Sequence, residues 1–132
     1  MSIRKEAVKE VTKLFSAWNA ALESGDPDRI VALYASNAVL LPTLSNQVRK
    51  THSEIRDYFE KMFMPKNPSG RIVDCRVRVF GDVAVSSGVF AFKFADGGVA
   101  HVRKSFVYHW NGDEWLIAEH HSSLMPEPVA VA

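Results

Sequence analysis

The sequence contains a single cysteine, Cys75, among 132 residues. A lone thiol excludes an intramolecular disulfide framework and a cysteine-based metal cluster. Neither sign of charge is in excess: 16 basic and 15 acidic residues leave a net charge of +1. That balance gives no electrostatic footprint for nucleic acid or an anionic membrane. There is no apolar run of about 18 residues to span a bilayer, and Arg4-Lys5-Glu6 stands where a leader would be apolar. The expectation is a cytoplasmic protein. The chain has no HExxH pairing and no GxGxxG loop, so neither a metal nor a nucleotide or flavin cofactor is expected. Internal repeats and low-complexity tracts are missing too. The composition is 47% hydrophobic and 23% charged, ordinary for a globular chain. The length predicts one domain with its own core over residues 1–126, and a loose tail over 127–132.

The organising stretch is residues 83–124. Three apolar segments, 83–94, 99–110 and 114–124, are separated by Asp96-Gly97-Gly98 and Asn111-Gly112-Asp113. Gly beside Asn or Asp supplies the positive φ of a tight hairpin. Val, Phe, Tyr and Trp in the flanking runs suit a pleated surface. The pattern predicts a three-stranded antiparallel meander. Before it, residues 71–80 alternate Val73, Cys75, Val77 and Val79 with Asp74, Arg76 and Arg78, a fourth strand with one polar face.

The first part of the chain reads as helical. Ile3, Ala7, Val11, Leu14, Phe15, Trp18, Ala21 and Leu22 recur every three or four residues, an amphipathic helix ending at Gly25. Asp26-Pro27 starts a short second helix with Ile30, Leu33 and Tyr34 facing inward. Val39-Leu40-Leu41 is a brief strand stopped by Pro42. Thr51 and Glu54 have capping-box spacing, and Ile55, Tyr58, Phe59, Met62 and Phe63 carry a third helix to about Met64. Helices gathered before an antiparallel sheet define an α+β fold. A twisted sheet of this length curls. Three helices on its concave face make a cone with a pocket at the open end.

Several phrases, in order along the chain, carry a resemblance: Leu22-Glu23-Ser24-Gly25-Asp26, Leu41-Pro42-Thr43-Leu44-Ser45-Asn46, Ile55-Arg56-Asp57-Tyr58-Phe59, Ser87-Gly88-Val89, Phe106-Val107-Tyr108, Trp115-Leu116-Ile117 and 120–127. They resemble the nuclear transport factor 2-like superfamily, and within it the stand-alone bacterial form of the calcium/calmodulin-dependent protein kinase II association domain. The resemblance implies a cone-shaped α+β domain that assembles with copies of itself. It also implies a pocket whose arginines receive a carboxylate in the kinase. Those positions fall at about Val89, Phe106 and Ser122, none of them basic, so the expected ligand is small and largely apolar. No kinase segment accompanies these residues, so no phosphoryl transfer is expected of them. The superfamily includes isomerases, polyketide cyclases and dehydratases, which the fold alone does not separate. The family places Trp18 and Tyr34 beside the opening. With Tyr58, Phe59, Phe63, Val89, Phe106, Tyr108, His120 and Ser122 they form the expected ligand wall.

Of the polar residues, His120-His121 is the most conspicuous pair. Neighbours on a strand point to opposite faces, so the two rings cannot share a metal. Position 122 is in the pocket by resemblance, which makes His120 the inward candidate and a natural general base. The alternative is a hydrogen-bonded core histidine beside a solvated one. His101 and His109 lie about 26 Å apart along one strand and cannot meet at one ion. Asp74 and Glu119 read as solvated or interfacial carboxylates, and Cys75 as an inert buried thiol. Phe90, Phe92, Val107, Trp115, Ile117 and His121 are assigned to the sheet's other face, an apolar patch too large for a monomer. That patch predicts a two-fold homodimer, with larger rings open. The resulting expectation is a self-associating, ligand-binding domain. An isomerase, cyclase or dehydratase with His120 as base is the alternative.

Overall fold

The computed structural model describes residues 3–129. Residues 130–132 of the expected tail lie outside the described residues, and 127–129 have no regular structure. The apolar stripe seen in the sequence forms α1, Ile3–Glu23. It ends at Gly25, whose φ of 72° is accessible to a residue without Cβ. Asp26 caps α2, Pro27–Val31, by accepting a 2.9 Å hydrogen bond from the Asp28 amide. Thr51 caps α3, His52–Tyr58, through the Glu54 amide at 3.1 Å. The chain then widens into a π-helical turn over Phe59–Phe63 and tightens into a 3-10 turn at Met64–Lys66. Pro65 has no amide to continue a helix, and Asn67 takes a left-handed φ of 49° before the sheet begins.

Five strands make one sheet: β1 Tyr34–Leu41, β2 Ser69–Phe80, β3 Val83–Lys93, β4 Val99–Trp110 and β5 Trp115–Leu124. Their spatial order is β1-β5-β4-β3-β2. The last four form the antiparallel meander read from the sequence. β1 differs in two respects. It runs parallel to β5, so the sheet is mixed, and it is longer than the three residues expected. Tyr34 belongs to it, not to α2. The Leu33 carbonyl accepts the Ile117 amide at 2.9 Å, which draws the chain into extended geometry one residue before Tyr34.

Most hollow-facing strand positions are filled by apolar or aromatic side chains, with Ser86, Lys104, His120 and Ser122 buried among them. Phe90, Phe92 and Ile117 are 0%, 2% and 2% exposed and lie in this core. Their expected place on the outer face is therefore corrected. On β3 the choice of face was off by one residue: the phenylalanines take the helix side and Val89 the outer side. On β5 a bulge is responsible. Tyr108 pairs with Ile117 while Val107 pairs with Glu119, so Ala118 is an extra residue. It breaks the alternation and lets Ile117 and His120 face the same way. A second bulge on β2 lies between Ile72 and Asp74. Opposite it, a Cβ on Gly88 would sit 1.9 Å from the Asp74 carbonyl oxygen, so only glycine fits.

Candidate functional site

The open end of the hollow holds a cavity of about 90 Å³. α1 supplies Trp18. α3 and its widened turn supply Tyr58, Phe59 and Phe63. The sheet supplies Leu40, Phe92, Val102, Lys104, His120 and Ser122. Leu44, Lys66 and Leu124 also line it and are themselves exposed, so they mark the mouth.

A loop over residues 42–50 closes one side of the mouth. Thr43 Oγ1 and Ser122 Oγ share a 2.7 Å hydrogen bond, and the Leu44 amide donates to Tyr58 Oη at 3.4 Å. Buried Arg49 fastens the loop. Its guanidinium donates to Asp57, the Glu54 carbonyl and Ser45 Oγ, each at 3.1 Å, and lies 5.7 Å from the Tyr58 ring centre. Burial pushes the Tyr58 hydroxyl up to about 12, so it stays protonated at neutral pH.

His120 is held from behind. Trp18 Nε1 donates to Tyr34 Oη at 3.1 Å, and Tyr34 Oη lies 2.8 Å from His120 Nδ1. Indole is a donor only. Tyr34 oxygen therefore accepts from Trp18, and its single proton goes to Nδ1. With the Tyr34 proton on that bond, the ring is the neutral tautomer with hydrogen on Nε2, and Nε2 has no partner among the described residues. Burial, then the nearby Lys104 and His121, hold its pKa well below the ordinary 6.5. The ring lies 4.4 Å from Phe106, centre to centre. Its unpaired edge is a hydrogen-bond donor, which is the wrong form for a general base.

Lys104 is the residue that sequence reasoning missed. It is 3% exposed, and its ammonium nitrogen lies 3.6 Å from the Trp18 ring centre, 4.7 Å from Phe106 and 4.9 Å from Phe92. Among the described residues no carboxylate or hydrogen-bond partner reaches it. Burial holds its pKa well below the ordinary 10.5. A signal was present in the sequence: Val102, Lys104, Phe106 and Tyr108 alternate with Arg103, Ser105, Val107 and His109, which puts one lysine on the apolar face.

Of the residues expected at the pocket, the structure brings Trp18, Tyr58, Phe59, Phe63, His120 and Ser122 to the cavity wall. Tyr34 stands behind His120, and Phe106 lies beneath both His120 and Lys104. Tyr108 stacks on Phe106, deeper in the core, where burial raises its pKa. Val89 lies on the opposite face of the sheet, the side that carries Arg103 and His121. Of the residues expected at an interface, Val107 and His121 occupy that outer face. Trp115 packs beside Trp110 and donates to Glu10 of α1 at 3.2 Å. Among the described residues, no group of three or more His, Cys, Asp or Glu side chains could hold a metal, and no helix is long and apolar enough to cross a membrane.

A cone of helices lodged in a curled sheet, with a walled cavity at its open end, defines a nuclear transport factor 2-like domain. A structure of that class from Pseudomonas putida KT2440 superposes with a TM-score of 0.81 at 21% identity, covering 92% of this chain and 89% of its own. Another, from Streptomyces avermitilis and described as a dehydratase of the same family, gives 0.81 at 19% identity over 93% and 99%. At these identities the likeness concerns the fold. The family model of the calcium/calmodulin dependent protein kinase II association domain matches residues 7–126, and the chain belongs to that family. A Xanthomonas campestris protein described as such a domain shares 45% identity, with a TM-score of 0.86 over 90% of this chain and 88% of its own. A search of curated proteins finds no match.

Proposed function

We propose that this chain is a self-associating domain that binds a small, largely apolar molecule in its cavity, residues 1–126 acting as one unit. The carrying observation is the cavity itself: aromatic and aliphatic walls, one buried amine with a second at the mouth, and no acid. A volume of about 90 Å³ accepts roughly half a dozen heavy atoms. The polar atoms at the wall are Lys104 Nζ, His120 Nε2–H and the Ser122–Thr43 hydroxyl pair. They suit a ligand with an apolar body and one oxygen-bearing head. Partnering takes place through the outer face of the sheet, where Val85, Val89 and Val107 are half-buried between Ser87, Arg103, Ser105 and His121. This face is smaller and more polar than the sequence suggested, because three of its expected aromatic or aliphatic members point inward. The lone thiol of Cys75 is suited to the reducing cytoplasm, which is where we place the protein.

His120 in its Nε2–H form supports binding over proton abstraction. The test is native mass spectrometry of the purified protein together with titration of Trp18 fluorescence, Trp110 and Trp115 being replaced by Phe. A dimer mass and saturable quenching by short-chain oxygenated compounds are expected. A monomer at micromolar concentration removes the assembly reading. Absence of any saturable quenching removes the ligand reading.

A further inference from the structure

We propose that Lys104 is a covalent anchor: its amine condenses with the carbonyl carbon of a short-chain aldehyde or ketone seated in the cavity, forming an imine and releasing one water. The inference rests on the reading of the cavity as a small-molecule site and adds the chemical class of its ligand.

Four features of the structure converge on this. Lys104 stands in the wall of a cavity open at one end, so a carbonyl compound reaches it while bulk water is limited. No carboxylate among the described residues pairs with it, so nothing nearby holds the amine in its charged form except ring faces. Desolvated lysines without an acidic partner are the ones that act as nucleophiles. The other walls are apolar and aromatic and accept an alkyl chain. Finally, His120 is a neighbour on the same face. Phe106 pairs with His120 and Lys104 with Ser122, so Lys104 and His120 are diagonal positions on adjacent strands.

The step balances without an oxidant or reductant. The Lys104 nitrogen lone pair attacks the carbonyl carbon, and one of the two amine protons passes to the carbonyl oxygen to give a carbinolamine. The nitrogen loses a proton. The hydroxyl leaves as water with that proton, while the neutral His120 Nε2–H donates a hydrogen bond to the departing oxygen and keeps its own proton. A C=N bond replaces C=O. When protonated, the imine faces the Trp18 ring that lies 3.6 Å from the Lys104 nitrogen.

The experiment uses the whole protein, pentanal as probe and cyanoborohydride to reduce any imine to a stable amine at neutral pH. Peptide mass mapping then locates the added pentyl group. Trp18 quenching by pentanal is measured in parallel without reductant. The expected result is one pentyl group on Lys104, at an occupancy about tenfold above any surface lysine, because the cavity holds the aldehyde beside this amine and no acid holds its proton. Excess pentanol, which fills the cavity but has no carbonyl, slows the labelling. Quenching by pentanal with the label spread over exposed lysines and absent from Lys104 overturns the imine and leaves the cavity reading intact. Neither quenching nor label at Lys104 overturns both. Quenching by pentanoate but not pentanal also overturns the imine, since the anchor is then an ammonium paired with a carboxylate.

Discussion

Replacing Lys104 by methionine stabilises the fold, and the gain shrinks as pH rises. The reasoning begins with two opposed terms. Removing an ion from water costs several kcal/mol even after relaxation, whereas ring faces return about 2 kcal/mol in a desolvated setting. With no carboxylate beside the nitrogen, desolvation outweighs the ring faces and pushes the folded pKa of Lys104 well below its ordinary value. The unfolded chain holds a proton there at any pH below about 10.5. Its folded pKa is depressed, so the unfolded state binds the extra proton and wild-type stability rises with pH across that window. The slope is at most about 1.4 kcal/mol per pH unit, reached where the folded group is neutral and the unfolded one charged, so the Lys104→Met advantage shrinks from pH 7 to pH 9. Methionine keeps the aliphatic volume and its sulfur suits the same rings, so packing loss is small. Urea unfolding of both proteins at several pH values, followed by far-UV circular dichroism, gives the difference directly. Burial, the largest cause of the depressed His120 pKa, is the same in both proteins, so this ring adds little to the difference above pH 7. A difference that stays constant with pH refutes the argument. It would mean that Trp18, Phe92 and Phe106 hold a full ammonium, and the free amine needed for imine formation would be missing.

Three further outcomes follow from the geometry. Nitrogen-15 NMR of His120 shows a neutral ring with hydrogen on Nε2 at pH values well below 6.5, because burial resists the charge. The unfolded ring takes that proton first, so this group's share of stability is present above the ordinary value and lost as pH falls; a ring that titrates at 6.5 refutes the Trp18–Tyr34–His120 chain. Gly88→Ala costs about 2–3 kcal/mol in urea unfolding, because the new Cβ meets the backbone at Asp74 and not a movable side chain; a change near zero shows that β2 shifts freely. Val107→Asp places a carboxylate directly opposite Glu119 on the outer face proposed for self-association, and light scattering is expected to show monomers with unchanged circular dichroism; an unaltered dimer mass refutes that interface.

The helices and the meander were legible because each announces itself locally. Asp26-Pro27, the Thr51–Glu54 spacing and the two glycine turns act within a few residues, and all four appear where read. What the sequence did not reveal depended on distant partners. Tyr34 has helical spacing from Ile30, yet a hydrogen bond from Ile117, more than eighty residues away, makes the chain extended there. The inward side of β3 was misassigned because both Val89 and Phe90 are apolar, and only the helices opposite decide between them. Ala118 carries no mark of being an extra residue, since a bulge is defined by the strand beside it. Lys104 was overlooked for another reason. Attention to arginine positions hid a lysine two residues from one of them, in a row of otherwise apolar neighbours.

The spare residues in β5 and β2 have a bearing on how such domains diversify. Removing Ala118 would restore plain alternation while leaving Ile117 and His120 on the side they already occupy. Chemistry at the wall would survive, but the extra bend that a bulge imparts would go. The number of residues in these strands therefore sets how deep the hollow is, independently of which side chains look into it. A lineage could enlarge or flatten its binding chamber by single insertions and deletions at the rim, without touching a residue that meets the ligand.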